Sequence, residues 1–331
     1  MNTLDLDKLS DQVLDKIRRR LGHYYEIKYL AKCFRVSDAD ILKALEQLKK
    51  IGYTFKTNKS GRWAMISPPD LMLPAEIMFG LKTKIMAKNV FAFKMVQSTN
   101  TVAHQLAVNG LPEGTLVAAE FQFGGRGRRG RVWHSPEGVG IYISLILRPS
   151  IHPSRAPGIS LVTAVVLAET ILEYEDIDVK IKWPNDVLIA GKKTAGILTE
   201  LSGEPDHTDF VIVGVGVNVN QRPDDFPEEF APMATSIRIG LKENVSRTDF
   251  LKRFLERFEK AYLEFRKKGL KAFRKKILHF SYLLNREIQL KFGRKKVIGI
   301  VKDIDEDGRL VLETKDGLQK FYAGEATLHF N

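Results

Sequence analysis

Near the start of the chain, apolar residues recur at helical spacing: Val13, Leu14, Ile17 and Leu21, then Ile27, Leu30, Ala31 and Phe34, then Ile41, Leu42, Leu45 and Leu48. The spacing predicts three short amphipathic helices. The third has a defined start, because Ser37 can cap the free amides and Asp40, three positions on, completes a capping-box pattern; Gly52 marks its stop. Residues 53–56 and 62–66 are rich in aromatic and β-favouring side chains and flank the turn-forming segment Asn58, Lys59, Ser60 and Gly61, so they read as a hairpin. Helices joined by a tight turn and followed by a β wing are similar to a winged helix-turn-helix, with 27–34 as its first helix and 38–50 as its recognition helix. A small helical docking domain fits the same pattern.

Pro68, Pro69 and Pro74 interrupt the periodicity, so 67–84 reads as a linker holding a short helix around 75–81. Beyond it the apolar segments alternate in kind. Residues 115–122 and 138–147 read as strands, 157–174 as a long buried helix, 179–183 as a strand, and 194–201 and 210–218 as further strands. This is mixed α/β architecture. A basic amphipathic helix over 247–268 turns Phe250, Phe254, Phe258 and Leu263 inward, a second helical stretch runs to Leu278, and 285–330 contains short strands around turns at Gly293, Asp307-Gly308, Asp316-Gly317 and Gly324. The expected divisions are 1–67, a linker at 68–84, a central unit at 85–281 and a small β unit at 282–331.

Composition narrows the class. Of 331 residues, 44% are hydrophobic and 28% charged, which supports a sizeable buried core and excludes wholesale disorder. Cys33 is the single cysteine, so an intrachain disulfide and a cysteine-based zinc site are both excluded. The first residues mix Leu4, Leu6 and Leu9 with Asp5, Asp7 and Asp11, unlike a signal peptide, and the most apolar run, 159–172, is interrupted by Ser160, Thr163, Glu169 and Thr170. A cytoplasmic protein without membrane partners is expected. The 52 basic and 40 acidic residues give a net charge of +12, which favours anionic partners but equally describes a soluble basic surface. Residues 1–66 alone carry +6, with Ser37, Lys43, Lys56, Lys59 and Arg62 as the candidate DNA contacts. Asp38 and Asp40 point the other way: they suit the helix dipole and repel phosphate at the leading end of the recognition helix.

Three segments carry candidate chemistry. Between two apolar strands lies Gly124-Gly125-Arg126-Gly127-Arg128-Arg129-Gly130-Arg131, four glycines and four arginines in eight residues. Glycines let the backbone curl round an anion, and guanidinium groups offer forked, permanent donors to phosphate or carboxylate; a nucleic-acid tether or a solvated loop has the same composition. Lys182-Trp183-Pro184-Asn185-Asp186 is a turn signal, but Lys182 ends a strand whose Ile181 and Trp183 face the other way, which carries an ammonium toward a pocket. Ser98-Thr99-Asn100 precedes a helical stretch, where a helix cap accounts for it as well as a pocket does. Gly214-Val215-Gly216-Val217-Asn218 lacks the spacing of a dinucleotide fingerprint and fits a strand passing close to a ligand.

Taken together, Ser98-Thr99-Asn100, Gln122 before the glycine-arginine loop, Lys182-Trp183-Pro184-Asn185-Asp186, Ala195-Gly196-Ile197-Leu198 and 214–218 resemble the biotin protein ligase family in order and spacing. With the winged helix in front, the chain looks like that family's bifunctional form, a ligase and biotin-operon repressor, with an SH3-like barrel at its end. The terminal pattern Gly324-Glu325-Ala326-Thr327-Leu328-His329 follows the family only loosely. The resemblance implies that biotin and ATP, accompanied by Mg²⁺, form biotinyl-5′-adenylate, and that a lysine of biotin carboxyl carrier protein then takes the biotinyl group. By the same resemblance Lys182 and Arg128 are catalytic, while Ser98, Thr99, Asn100, Gln122, Arg126, Gly127, Arg128 and Lys182 bind biotin. Gly125, Arg129, Gly130, Arg131, Asn185, Lys193 and Asn218 would attend the nucleotide and intermediate. No residue cluster has metal-ligand spacing, so magnesium is expected to arrive with ATP. A homodimer that binds operator DNA is implied for the repressor. Three other functions stay open: a ligase without operator binding, a non-catalytic biotin-sensing regulator, and a lipoate-type ligase of related fold.

Overall fold

The computed structural model describes residues 3–175, 177–293 and 295–328, so His329 of the terminal pattern and Phe330 lie outside the described residues. It divides into two compact units, Met1–Leu71 and Met72–Asn331. In the first, α1 (Thr3–Ile17), α2 (Ile27–Phe34) and α3 (Asp38–Ile51) enclose Val13, Leu14, Ile17, Leu30, Ile41, Leu45 and Leu48. The capping box forms: the Ser37 hydroxyl accepts from the Asp40 amide at 3.2 Å while the Asp40 carboxylate accepts from the Ser37 amide at 3.3 Å. Gly52 ends α3 at φ 114°, a left-handed conformation open to glycine. The antiparallel wing, β1 (Thr54–Thr57) and β2 (Trp63–Ser67), turns where Asn58 Oδ1 accepts from the Ser60 and Arg62 amides, both at 3.0 Å. This is the arrangement expected of a winged helix-turn-helix.

The second unit starts earlier than the linker reading allowed. Within 68–84, α4 (Pro74–Met78) buries Ile77, and at the end of that segment and just after it the Lys84, Ile85 and Met86 amides converge on the Glu259 carboxylate at 2.7–3.0 Å. Burial alone would raise the Glu259 pKa, but the three amides outweigh it and hold the carboxyl below its ordinary value. Pro74 therefore opens a helix of the second unit rather than a free linker.

The central sheet is built from β3 (Val90–Val96), β4 (Leu116–Gln122), β5 (Gly140–Leu147), β6 (Val179–Lys182), β7 (Asp186–Ile189), β8 (Lys192–Gly203) and β9 (Thr208–Asn218), in the order β3-β4-β5-β9-β8-β7-β6. Only β3 and β4 run parallel; the other neighbours are antiparallel. Two helices cover opposite demands: α5 (Thr99–Val108) carries the residues of the pocket, and α6 (Pro157–Ile171) is apolar all round because nearly every side of it is buried. By length and composition the stretch Pro153–Ile171 could cross a membrane, yet it is 78% buried within the fold. After α7 (Ile237–Leu241), α8 (Arg247–Lys268) lays Phe250, Phe254, Phe258, Tyr262 and Phe265 against the core, and α9 (Arg274–Phe280) leads into the last sheet. That sheet joins β10 (Glu287–Phe292), β11 (Lys295–Ile304), β12 (Leu310–Thr314), β13 (Gly317–Phe321) and β14 (Glu325–Leu328) in the antiparallel order β13-β12-β11-β10-β14, as an SH3-like domain requires.

One buried ion pair stiffens the strand that leads to the pocket. Arg247, 1% exposed, donates to Glu120 at 2.7 Å and to the Gly140 carbonyl at 3.1 Å, and the other Glu120 oxygen accepts from the Met72 amide at 2.6 Å. Removing one partner of such a pair costs about 3–5 kcal/mol, because the other charge stays buried alone.

Candidate active site

Between the central sheet and the last strand lies a cavity of about 980 Å³, large enough for a nucleotide-sized ligand. Its floor is glycine. Gly196 on β8 pairs in register with Gly216 on β9, and Leu198 with Gly214, so the floor carries hydrogen atoms where neighbouring strands carry side chains. A Cβ on Gly216 would fall 2.5 Å from the Trp133 indole and one on Gly214 2.1 Å from Asn100 Oδ1. Side chains on the alternate positions, Val213, Val215 and Val217, enter the core.

At one end the groups are uncharged and mutually bonded. Ser98 precedes α5 but its hydroxyl makes no cap bond, and it lines the cavity instead. The Thr99 amide and hydroxyl donate to Gln122 Oε1 at 2.8 and 3.2 Å, Gln122 Nε2 donates to Ser135 at 3.0 Å, and Ser144 lies within bonding reach of Thr99 (2.8 Å) and Asn100 (2.6 Å). These bonds fix which way each amide points, leaving the second Gln122 N–H and the Ser98 hydroxyl for a ligand.

At the other end the groups are cationic. The glycine-arginine loop folds back on itself through Gly127 N to Arg131 O at 2.7 Å and Trp133 N to Gly125 O at 2.9 Å. Gly125 lies just behind the lining residues, where a Cβ would approach the Trp133 carbonyl to 2.4 Å. Arg129 (φ 57°) and Gly130 (φ 74°) are both left-handed and turn the loop. The four arginines meet three elements: Arg126 meets Glu200 of β8 at 3.3 Å, Arg128 donates to Asn185 at 3.1 Å, and Arg129 (3.7 Å) and Arg131 pair with Glu325 of β14. Burial, and then the Arg129 charge, push the Arg128 pKa down, with Asp186 opposing. The Arg131 hydrogen bond outweighs burial and holds Glu325 below its ordinary value.

Lys182 ends β6 and lines the cavity, while Ile181 and Trp183 are buried on the other side, 1% and 2% exposed. Trp183 donates to the Gly308 carbonyl at 2.9 Å, so the strand that presents Lys182 is braced by the last domain. The Lys182 ammonium has no hydrogen-bond or ion-pair partner among the described residues, whereas the Lys193 ammonium contacts Asp186 at 2.8 Å and lies 5.3 Å from the Trp133 ring. Asn185 donates to the Ile197 carbonyl at 2.9 Å, and Asn218 donates to the Thr235 carbonyl at 3.0 Å, so both asparagines face the cavity with their amides already engaged. Among the described residues no group of three or more His, Cys, Asp or Glu side chains could hold a metal ion.

The structure thus gathers Ser98, Thr99, Asn100, Gln122, Arg126, Gly127, Arg128, Arg129, Gly130, Arg131, Lys182, Asn185, Lys193 and Asn218 around one space. In the leading unit the candidate DNA contacts are unequal. Ser37 is committed to its cap, Lys43 lies 4.0 Å from Asp40, Arg62 pairs with Glu26 at 2.6 Å, and Lys56 and Lys59 are exposed on the wing. Sequence reasoning missed Trp133, Ser144, Glu200 and Glu325, together with the second wall at Phe226, Phe230 and Met233, which is tied to β8 by Lys193 N to Met233 O at 2.8 Å. Ser144, the one serine within the largely apolar run 141–147, carried a readable signal; Glu200 and Glu325 carried none.

Comparison with known proteins agrees with this geometry. Residues 92–218 match the family described as biotin/lipoate A/B protein ligase, and 283–328 match the biotin protein ligase C terminal domain. The chain is 40% identical over 290 residues to the bifunctional ligase/repressor BirA of Bacillus subtilis, covering 87% of this chain and 89% of that protein. It is 35% identical over 231 residues to the biotin–[acetyl-CoA-carboxylase] ligase of Paracoccus denitrificans, covering 69% of this chain and 95% of that one. Among solved structures, the biotin protein ligase of Aquifex aeolicus in complex with biotin and ATP superposes with a TM-score of 0.63 at 33% identity, covering 74% of this chain and 100% of that one.

Proposed function

The chain belongs to the biotin/lipoate A/B protein ligase family, and from that premise we propose that it is an ATP-dependent biotin protein ligase that also represses transcription. In the first step a biotin carboxylate oxygen attacks the α-phosphorus of ATP, the bond to the bridging oxygen breaks, and pyrophosphate leaves. In the second, the amine of a carrier-protein lysine attacks the acyl carbon, the acyl–phosphate bond breaks with AMP leaving, and the amine loses a proton. Mg²⁺ arriving with ATP neutralises part of the phosphate charge.

The observation that carries this reading is one cavity with an uncharged hydrogen-bonding end and a cationic end. An anionic carboxylate must reach an anionic phosphate, so cations have to offset the repulsion and stabilise the crowded transition state. Lys182, whose ammonium is unpartnered among the described residues, and Arg128 are suited to that; the backbone of residues 125–131 can cradle carboxylate and phosphate, with Arg129, Gly130 and Arg131 closing the loop. Ser98, Thr99 and Gln122 suit a ureido ring. Folding cationic backbone over a mixed anhydride also excludes water. The functional divisions we assign are 1–67 for DNA, 85–281 for catalysis and 282–331 for bracing the cavity, in a cytoplasmic protein.

Mass spectrometry of the protein incubated with biotin and MgATP tests the ligase: biotin-dependent pyrophosphate release and a labelled biotin carboxyl carrier protein are expected. The absence of both would leave a non-catalytic sensor. For the repressor, liganded protein is expected to dimerise and to retard operator DNA, and Lys56→Gln with Lys59→Gln should lower the salt dependence by about one unit per lost phosphate contact. Retardation without sequence preference at low salt would leave a ligase alone.

A further inference from the structure

Ser98-Thr99-Asn100 is one run in sequence, but its asparagine does a different task from its neighbours. Asn100 is 3% exposed and its amide is spent inside the protein. Its Oδ1 accepts from Ser144 at 2.6 Å, and its Nδ2 donates to Glu200 Oε2 at 2.6 Å and lies 3.4 Å from the Leu198 carbonyl. An amide has two N–H donors, and both are taken here. Gly214 makes room for the Asn100 oxygen on the floor, since a Cβ added there would stand 2.1 Å away.

Glu200 is shared in turn. Oε2 holds Asn100, while Arg126 Nη2 reaches both carboxylate oxygens, Oε1 at 3.3 Å and Oε2 at 3.5 Å, and Arg126 has no other side-chain partner among the described residues. The two contacts differ in strength. The short bond to the buried amide is charge-assisted, whereas the ion pair is long and its side chains are 48% and 35% exposed, so it can be exchanged at little cost.

We propose that Glu200 is a positioning residue that couples the two ends of the cavity: through Asn100 it fixes the uncharged end, and through Arg126 it holds the first arginine of the loop over that end until an anionic ligand takes the guanidinium. The inference rests on the ligase reading above. It predicts a separation of effects, because a glutamine can still accept from Asn100 but offers Arg126 no counter-charge.

The test compares wild type, Glu200→Ala and Glu200→Gln for biotin affinity without ATP and for the release rate of preformed biotinyl-adenylate. Glu200→Ala should weaken biotin about tenfold, by leaving the Asn100 amide without its strong acceptor. Glu200→Gln should restore biotin affinity to within about twofold while releasing the intermediate about threefold faster, and in an Arg126→Ala background it should change release no further. Biotin affinity as poor in Glu200→Gln as in Glu200→Ala, or a release effect that persists without Arg126, would overturn the inference, and the glutamine variant decides the question even where the alanine variant fails to fold. Wild-type protein that releases no biotin-dependent pyrophosphate would sink the ligase reading and this inference together; an active wild type with unaltered variants sinks this inference alone.

Discussion

The two ends of the cavity solve opposite recognition problems. At the Ser98–Gln122 end, neutral groups from α5, β4 and β5 hold one another in fixed orientations at 2.6–3.2 Å. At the arginine end, cations rest on partners from β8, the turn after β6, and β14, and all three partners, Glu200, Asn185 and Glu325, are partly exposed. A neutral ring offers little attraction at a distance, so its site has to be correct before it arrives. A charged ligand can displace weak intramolecular pairs, so its site can be assembled on arrival. Precision is therefore built into the first end and exchangeability into the second.

The largest expected effect tests that separation directly. Lys182→Ala should slow single-turnover adenylate formation by about a hundredfold or more, with a smaller change in biotin affinity; an equal loss in both would erase the distinction between the ends. Next, Gly214→Ala should act on the other side of the comparison. Its new Cβ intrudes on Asn100, and overpacking of about 1–3 kcal/mol should appear in biotin affinity, read by calorimetry, before it appears in the rate of chemistry. Arg128→Gly should then loosen retention of the intermediate about tenfold, seen as off-target labelling, since it deletes a charged donor to a leaving phosphate. Retention unchanged in that variant would transfer the task to Arg126.

The smallest effect concerns pH. The Glu325 pKa is lowered from 4.5, chiefly by Arg131, so its contribution to holding the loop is complete above pH 4.5 and is lost as pH falls through the lowered value. Proteolytic cleavage of the loop should accelerate by a few-fold over that acid range, and Glu325→Gln should flatten the dependence.

Much of this was legible in the chain. Helical periodicity located α2, α3 and α8 nearly to the residue, because each has one buried stripe, and Ser37 and Gly52 marked the two ends of α3. The chemistry of the glycine-arginine loop and of Lys182 was also readable, since residue type and spacing carry it. What escaped depends on distant partners. β7 has four residues beside a turn signal, and it is a strand only because β6 and β8 flank it. Phe91, Phe93 and Met95 of β3 lie at a sheet edge, half-buried or exposed, so their alternation marks no clear core face. Glu200 and Glu325 acquire meaning from arginines 74 and 194 positions away, which no local pattern records.

The glycine floor has a consequence for how such a protein can change. A surface made of backbone offers selection no side chain to trim or extend, and any addition at Gly214 or Gly216 strikes a neighbour at once. Variation in what the cavity accepts must enter from its sides, through residues such as Phe226, Phe230 and Met233, whose loop can lengthen or shift without disturbing the β8–β9 ladder. Divergence within this architecture should accordingly accumulate around the rim while the base stays almost featureless.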